Sequence, residues 1–337
     1  MDLIITPENP APPQGVVAMV RAADGMELRV ARWHPANEPV GTVVVCSGRA
    51  QFVEQYFETI RDLLTRDLVV VVFDWRGQGL SGRELGNPLK GHIDDFSLYE
   101  RDLETLVDQT LEPFCPRPWF ALGHSMGAAV LLAQARSGRS PFERLVLTAP
   151  LIDIYGLKYR QGLRLAVEAL DILGLGGAFV PTRRHANIYS KPFHGNPLTS
   201  DPQRFAVSGA VIAAAPQIAV GAPTIGWTNA AFRRIAAFAD PEYPRRTLTP
   251  ILVVAAGDDR IADLTATERF ATRLKAGHLV VIPHARHEIL AERDVFRSQF
   301  WSAFDAFVPG THEADATPAI AHRADGAARR RFWSRGG

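Results

Sequence analysis

Cysteine is almost absent, with two residues, Cys46 and Cys115, in 337. Cys46 falls in an apolar strand-like run and Cys115 in a proline-bracketed loop, so no disulfide scaffold is implied and the usage suits a reducing cytosol. Neither has a partner at a metal-ligand spacing, and no metal is expected. Excess charge is missing too: 37 Lys plus Arg against 36 Asp plus Glu leave a formal net charge of +1, without the basic surplus that holds nucleic acid. The opening residues, Met1 to Glu8, lack a basic stretch followed by a continuous apolar run. They predict no signal peptide, and the expected location is the cytoplasm. From Phe205 to Phe232 charge disappears altogether, over a length that could span a bilayer. Pro216, Gln217, Pro223, Thr224, Thr228 and Asn229 interrupt that run and alanine dominates it, so a buried or pocket-lining segment is expected. Membrane contact is then at most peripheral, at the inner face. No internal repeat is found.

What the chain does have is alternation, and enough apolar residues (47%) for a large core. Val16 to Val20 and Leu28 to Trp33 read as strands around the Asp24-Gly25 turn signal. Thr42 to Cys46, Leu68 to Phe73, Trp119 to Leu122, Leu145 to Thr148, Ile251 to Ala255 and Leu279 to Ile282 are short apolar runs of the kind buried on both faces of a parallel sheet. Helical periods fall between them: Gln55 to Thr65, Phe96 to Leu111, Ala128 to Ala133, Leu264 to Leu274 and Val295 to Phe307. That order predicts an α/β fold with a mostly parallel central sheet flanked by helices. The expected organisation is a flexible arm over 1–15, a core over 16–150 and 246–310, an inserted helical cap or lid over 151–245, and a disordered tail over 311–337. The tail holds five arginines against three acidic residues. Within the insertion, Leu163, Leu165, Val167, Leu170, Ile172 and Leu173 form an amphipathic helical run.

The chemistry centres on Gly123-His124-Ser125-Met126-Gly127, which reads as Gly-x-Ser-x-Gly with a strand before it and a small-residue helix after it. A serine on so sharp a strand-to-helix turn clashes with its neighbours unless the positions two before and two after lack a side chain. The turn would expose the Ser125 hydroxyl as a nucleophile and aim the Met126 amide, in the helix's first turn, at a developing oxyanion. Serine needs a base within hydrogen-bond reach and an acid to fix that base's tautomer. On such a fold the order is serine, acid, histidine. Two loops past strand ends supply candidates: Asp258 and Asp259 before Arg260-Ile261, then His284 and His287. Asp259 and His287 are preferred, with Asp258 the alternative acid. His92, His124 and His194 read as loop or elbow-packing residues. The second oxyanion amide is expected from Arg49, in Ser47-Gly48-Arg49-Ala50 after the Thr42 to Cys46 strand. The Arg49 side chain could meet a phosphate or form a surface ion pair.

Taken together, Gly48-Arg49, Asp74-Trp75-Arg76-Gly77-Gln78-Gly79-Leu80-Ser81, Arg83 with Gly91-His92-Ile93-Asp94-Asp95-Phe96, the Ser125 elbow, Ala222 to Trp227 and His287-Glu288-Ile289-Leu290 resemble α/β-hydrolases of the lysophospholipase and monoacylglycerol-lipase group. The resemblance runs from about Val17 to Phe307. It implies an α/β-hydrolase fold, Ser125, Asp259 and His287 as nucleophile, acid and base, Arg49 and Met126 as oxyanion amides, and a cap admitting one acyl chain. The Leu163 to Val180 and Phe205 to Phe232 regions are the expected acyl-chain lining. It implies no cofactor, and a lysophospholipid or monoacylglycerol ester as substrate. Many relatives have His-Gly where this chain has Ser47-Gly48, and glutamate at Gln51. Other esters, acyl transfer, a peptide bond, or ligand binding without turnover are the competing readings.

Overall fold

The computed structural model describes residues 2–181 and 187–311, and valine-rich runs form its central sheet. β3 (Gly41–Cys46), β4 (Leu68–Phe73), β5 (Trp119–His124) and β7 (Ile251–Ala256) are buried at every position. Their β-branched side chains are stiff and pack well on a pleated surface. With β1 (Val16–Arg21), β2 (Glu27–Trp33), β6 (Arg144–Thr148) and β8 (Gly277–Ile282) they form one sheet in the order β1-β2-β4-β3-β5-β6-β7-β8. β2 runs antiparallel to β1 and β4, and the remaining pairs are parallel.

Alternate residues feed two cores. Val44, Val69 and Val71 pack with Leu103, Leu106, Val130 and Leu131 on one face. Val43, Val45, Val70 and Val72 pack with Phe57, Ile60, Phe300 and Phe304 on the other. The helices that close these faces are α1 (Phe57–Leu64), α2 (Ser97–Leu106), α3 (Glu112–Phe114) and α4 (Met126–Arg136) in the first half of the chain. A π-helical turn over Val107–Leu111 joins α2 to α3. α9 (Leu264–Ala271) and α10 (Asp294–Phe307) follow after β7 and β8. From β3 the chain crosses to β4, then returns past β3 to β5, so the loops leaving β3 and β5 diverge. That point, at the carboxyl ends of the strands, is where an open parallel sheet offers a crevice.

Between β6 and β7 lie α5 (Arg160–Leu170), α6 (Pro202–Ala214), α7 (Ile225–Phe238) and α8 (Glu242–Arg245). Several bonds fasten this insertion to the core. Arg204 pairs with Glu58 at 2.7 Å and Asp294 at 2.6 Å, Thr199 Oγ1 donates to the Ala291 carbonyl at 2.7 Å, and Trp227 Nε1 donates to Tyr99 Oη at 3.2 Å. The uncharged run is divided between α6 and α7, with Phe205, Val211, Ile225 and Phe232 buried. Among the described residues no helix is long and apolar enough to cross a membrane.

Two expectations need correction. Residues 2–15 are not a loose arm: the Ile4 amide donates to Glu54 Oε1 at 3.1 Å, Asn9 Nδ2 to the Glu54 carbonyl at 2.8 Å, and Trp33 Nε1 to the Pro12 carbonyl at 3.1 Å. Proline removes donors but leaves carbonyls, and those carbonyls are used here. The apolar face of α5 does not line a cavity as a whole. Val167 is buried, but Leu165 on α5 is 64% exposed, and Ile172 and Leu173 in the turn after it are 79% and 74% exposed. The tail expected over 311–337 lies outside the described residues except for Thr311, whose hydroxyl donates to the Val308 carbonyl at 2.8 Å.

Candidate active site

At the carboxyl end of β5 the chain turns into α4 through Ser125, which adopts φ 50° and ψ −109°. This left-handed conformation is costly for a residue with a side chain. The surrounding backbone holds it: the Ser125 amide donates to the Thr148 carbonyl at 3.0 Å, and the Leu151 amide to the Ser125 carbonyl at 3.1 Å. The flanking glycines are steric necessities. A Cβ on Gly127 would stand 2.2 Å from the Cys46 carbonyl oxygen, and one on Gly123 2.9 Å from the Ala128 Cα. β3 and α4 approach so closely that only hydrogen fits.

The hydroxyl so presented meets the two loops from the far half of the sheet. Ser125 Oγ lies 3.1 Å from His287 Nε2, and His287 Nδ1 lies 2.8 Å from Asp259 Oδ2. Asp259 Oδ1 accepts the Ile261 amide at 2.8 Å and the Ala262 amide at 2.9 Å, which fixes the carboxylate. All three residues are buried. The competing candidates turn outward: the side chains of Asp258 and His284 are 58% and 83% exposed and stand 3.8 Å apart. His124 packs its ring on that of His287, with centroids 4.8 Å apart. Burial, with His287 beside it, holds His124 well below the usual imidazole range, so it stays neutral.

The Met126 amide starts α4, where the first four N–H groups of a helix lack helical acceptors. Across from it, the Gly48 amide donates to Gln51 Oε1 at 2.6 Å and the Ala50 amide to Gln78 Oε1. Arg49 lies between these two tied residues, and among the described residues its amide has no acceptor. Ser47 is anchored from behind by Trp75 Nε1, 2.9 Å from its carbonyl.

Sequence reasoning missed a polar network behind this loop. Gln51 Nε2 donates to Glu288 Oε1 at 2.9 Å, Tyr56 Oη to Gln51 Oε1 at 2.6 Å, and Tyr189, from the insertion, donates to Glu288 Oε2. Burial pushes the Glu288 carboxyl up from its ordinary value. The departure at Gln51 and the position of Glu288 beside His287 were its available signals. His92 bridges core to insertion: Nδ1 lies 2.9 Å from Thr224 Oγ1. Its ring and the carboxylates of Glu84 and Asp94 lie within 4.8 Å of one another. His194 is exposed.

Ser125 and His287 open onto a cavity of about 480 Å³. Leu151, Ile154, Ile188, Leu198, Val220 and Trp227 make its wall largely apolar. A serine on a strained elbow, in reach of an oriented imidazole and facing this cavity, defines with the fold a serine hydrolase of α/β-hydrolase architecture.

The chain belongs to the Hydrolase_4 family, described as serine aminopeptidase S33, whose model matches residues 37–294. It is 31% identical to lysophospholipase L2 of Escherichia coli K12 over 290 residues, covering 82% of each chain. It is 24% identical to a monoacylglycerol lipase of Mycolicibacterium smegmatis over 263 residues, 77% of this chain and 85% of the relative. A monoglyceride lipase from Saccharomyces cerevisiae, solved with a substrate analogue, superposes with a TM-score of 0.70 at 19% identity, over 88% of this chain and 97% of that one. The protein is a carboxylic ester hydrolase.

Proposed function

We propose that the protein cleaves the ester of a monoacylated lipid, a lysophospholipid or a monoacylglycerol, through an acyl-enzyme on Ser125. The observation that carries this reading is the hydrogen-bonded row Ser125, His287, Asp259 opening into an apolar cavity. His287 Nε2 takes the Ser125 proton as Oγ attacks the acyl carbonyl, and Asp259 holds the imidazole by Nδ1 and stabilises its charged form. The Met126 and Arg49 amides receive the oxyanion, each worth roughly 3 kcal/mol in the transition state. The protonated His287 then gives its proton to the leaving glycerol oxygen. Water, deprotonated by the same nitrogen, releases the fatty acid and restores the serine. No step calls for a metal or organic cofactor.

A peptide substrate fits less well. An aminopeptidase needs a carboxylate for the substrate's free amine, and among the described cavity-lining residues the carboxylate is Glu288, already engaged by Gln51 and Tyr189. Contact with the membrane, in this reading, is peripheral and made through the exposed Leu165, Ile172 and Leu173 of the insertion.

The test is fatty-acid release from lysophosphatidylethanolamine, lysophosphatidylcholine, monoolein and short p-nitrophenyl esters by wild type and Ser125→Ala. Release from the monoacyl lipids is expected, falling by a thousandfold or more, on the order of what triad removal costs, with the melting temperature kept. Turnover confined to the short esters would refute the lipid reading. Retention within about tenfold of wild type would refute Ser125 as nucleophile.

A further inference from the structure

Among the described residues the cavity wall holds two cationic side chains, Arg49 and Lys191, and one carboxylate, Glu288. Arg49 differs from Arg29 and Arg76, buried arginines that are paired with carboxylates. Arg29 donates through Nε to Asp74 at 2.7 Å and through both Nη atoms to Glu54 at 2.7 and 2.8 Å. Arg76 pairs with Asp102 and Asp24, each at 2.7 Å. Among the described residues no carboxylate lies within ion-pair distance of Arg49. Its guanidinium makes one hydrogen bond, from Nη2 to the Gly221 carbonyl at 2.9 Å, and its Cζ stands 5.0 Å from the Trp227 ring centroid. Nε is sealed from solvent and has no acceptor. Burial without a counter-ion draws its pKa down to about 10, which still leaves it charged at neutral pH.

An enclosed cation with no anion is expensive, and neither a carbonyl oxygen nor a ring face neutralises it. Gly221 and Trp227 are themselves cavity-wall residues, so the charge lies against the space a ligand would fill. Arg49 also supplies an oxyanion amide in the reading above, so its guanidinium stands one side-chain length from the carbonyl under attack. In a monoacyl glycerophospholipid the phosphate follows the scissile ester oxygen by the three glycerol carbons. The guanidinium fork matches phosphate oxygens better than any other side chain does.

We propose that the Arg49 guanidinium is the phosphate-binding group of this cavity, and that the protein therefore prefers monoacyl lipids carrying a phosphodiester head group over monoacylglycerols. The proposal rests on the ester-cleaving role assigned to the site above and narrows its substrate.

The experiment measures kcat/KM for 1-oleoyl-lysophosphatidylethanolamine and 1-monoolein, in the same detergent, with wild type, Arg49→Met and Arg49→Lys. The quantity read is the preference ratio between the two substrates, because any loss from a disturbed oxyanion loop or a loosened insertion lowers both and cancels. Wild type should favour the phospholipid. Arg49→Met should lower the ratio about 30-fold, the order expected when one partner of an enclosed charge pair is removed, and Arg49→Lys should fall between. A ratio unchanged within about threefold would overturn the proposal and make Arg49 a brace between the β3 loop and the insertion. Should the variants fail to fold, wild type alone decides. Dodecylphosphocholine, which has a phosphate and no ester, should inhibit p-nitrophenyl butyrate hydrolysis at least tenfold more strongly than 1-O-dodecylglycerol. Equal inhibition overturns the proposal. If wild type cleaves p-nitrophenyl butyrate but neither lipid, the monoacyl-lipid reading itself falls, and this one with it.

Discussion

In β3, β4 and β7 every residue is buried, whereas in α5 and the turn after it Leu163, Leu165, Ile172 and Leu173 are 41%, 64%, 79% and 74% exposed. Both regions are rich in apolar side chains. The central strands have helices packed over both faces, so an apolar run there is core. A helix on an insertion has one face against the protein and one outward, and its period says that a face is apolar without saying what covers it. The sheet therefore sets positions rigidly and the insertion sets surroundings, and the two should answer differently to substitution.

The sharpest contrast comes from the elbow. Gly127→Ala puts a methyl 2.2 Å from the Cys46 carbonyl oxygen, and backbone on both sides cannot yield cheaply. Overpacking of this kind costs on the order of 2–3 kcal/mol. A lower melting temperature by thermal denaturation and an at least tenfold loss of esterase activity are expected, since the serine moves with the turn. Full activity and stability would break the claim that the sheet holds the site rigidly.

The insertion should respond the other way. Leu165→Asp, Ile172→Asp and Leu173→Asp together should leave the melting temperature within about 2 °C of wild type, because exposed positions contribute within about half a kcal/mol each. They should lower co-sedimentation with phosphatidylethanolamine and phosphatidylglycerol vesicles about tenfold. Unfolding by the same three changes would mean that this face is core after all.

The smallest effect tests the enclosure of β3 itself. Burial pushes the Cys46 thiol up beyond its ordinary range and the Cys115 thiol up to about 11. The thiolate is the reactive form, and a raised pKa keeps its fraction low as pH rises. Iodoacetamide at pH 8.5 should therefore leave both cysteines unmodified in the native protein by mass spectrometry, and modify both in denaturant.

The same contrast explains what was legible from the residues. The strand runs, the serine elbow and the order of acid and base past β7 and β8 could all be read, because each depends on local pattern and on a rule of chain order. Asp259 could be preferred over Asp258 but not separated from it, since the decision lies in which carboxylate the Ile261 and Ala262 amides turn toward the sheet. Docking of residues 2–15 on Glu54 was invisible because it joins positions 45 and 50 apart with no periodic trace. The network of Gln51, Glu288 and Tyr189 spans three distant segments, and only folding brings them together.

The nucleophile and its base are separated by 162 residues of chain, and that spacing has a consequence for biosynthesis. Synthesis runs from the amino end, so β1 to β6 and the elbow serine are made before Asp259 and His287. A nascent or prematurely ended chain that stops short of His287 carries the serine on its elbow with nothing to deprotonate it. Lytic capacity toward the producing cell's own lipids thus arrives only with the last tenth or so of the ordered polypeptide, after the cavity that selects the substrate has been laid down.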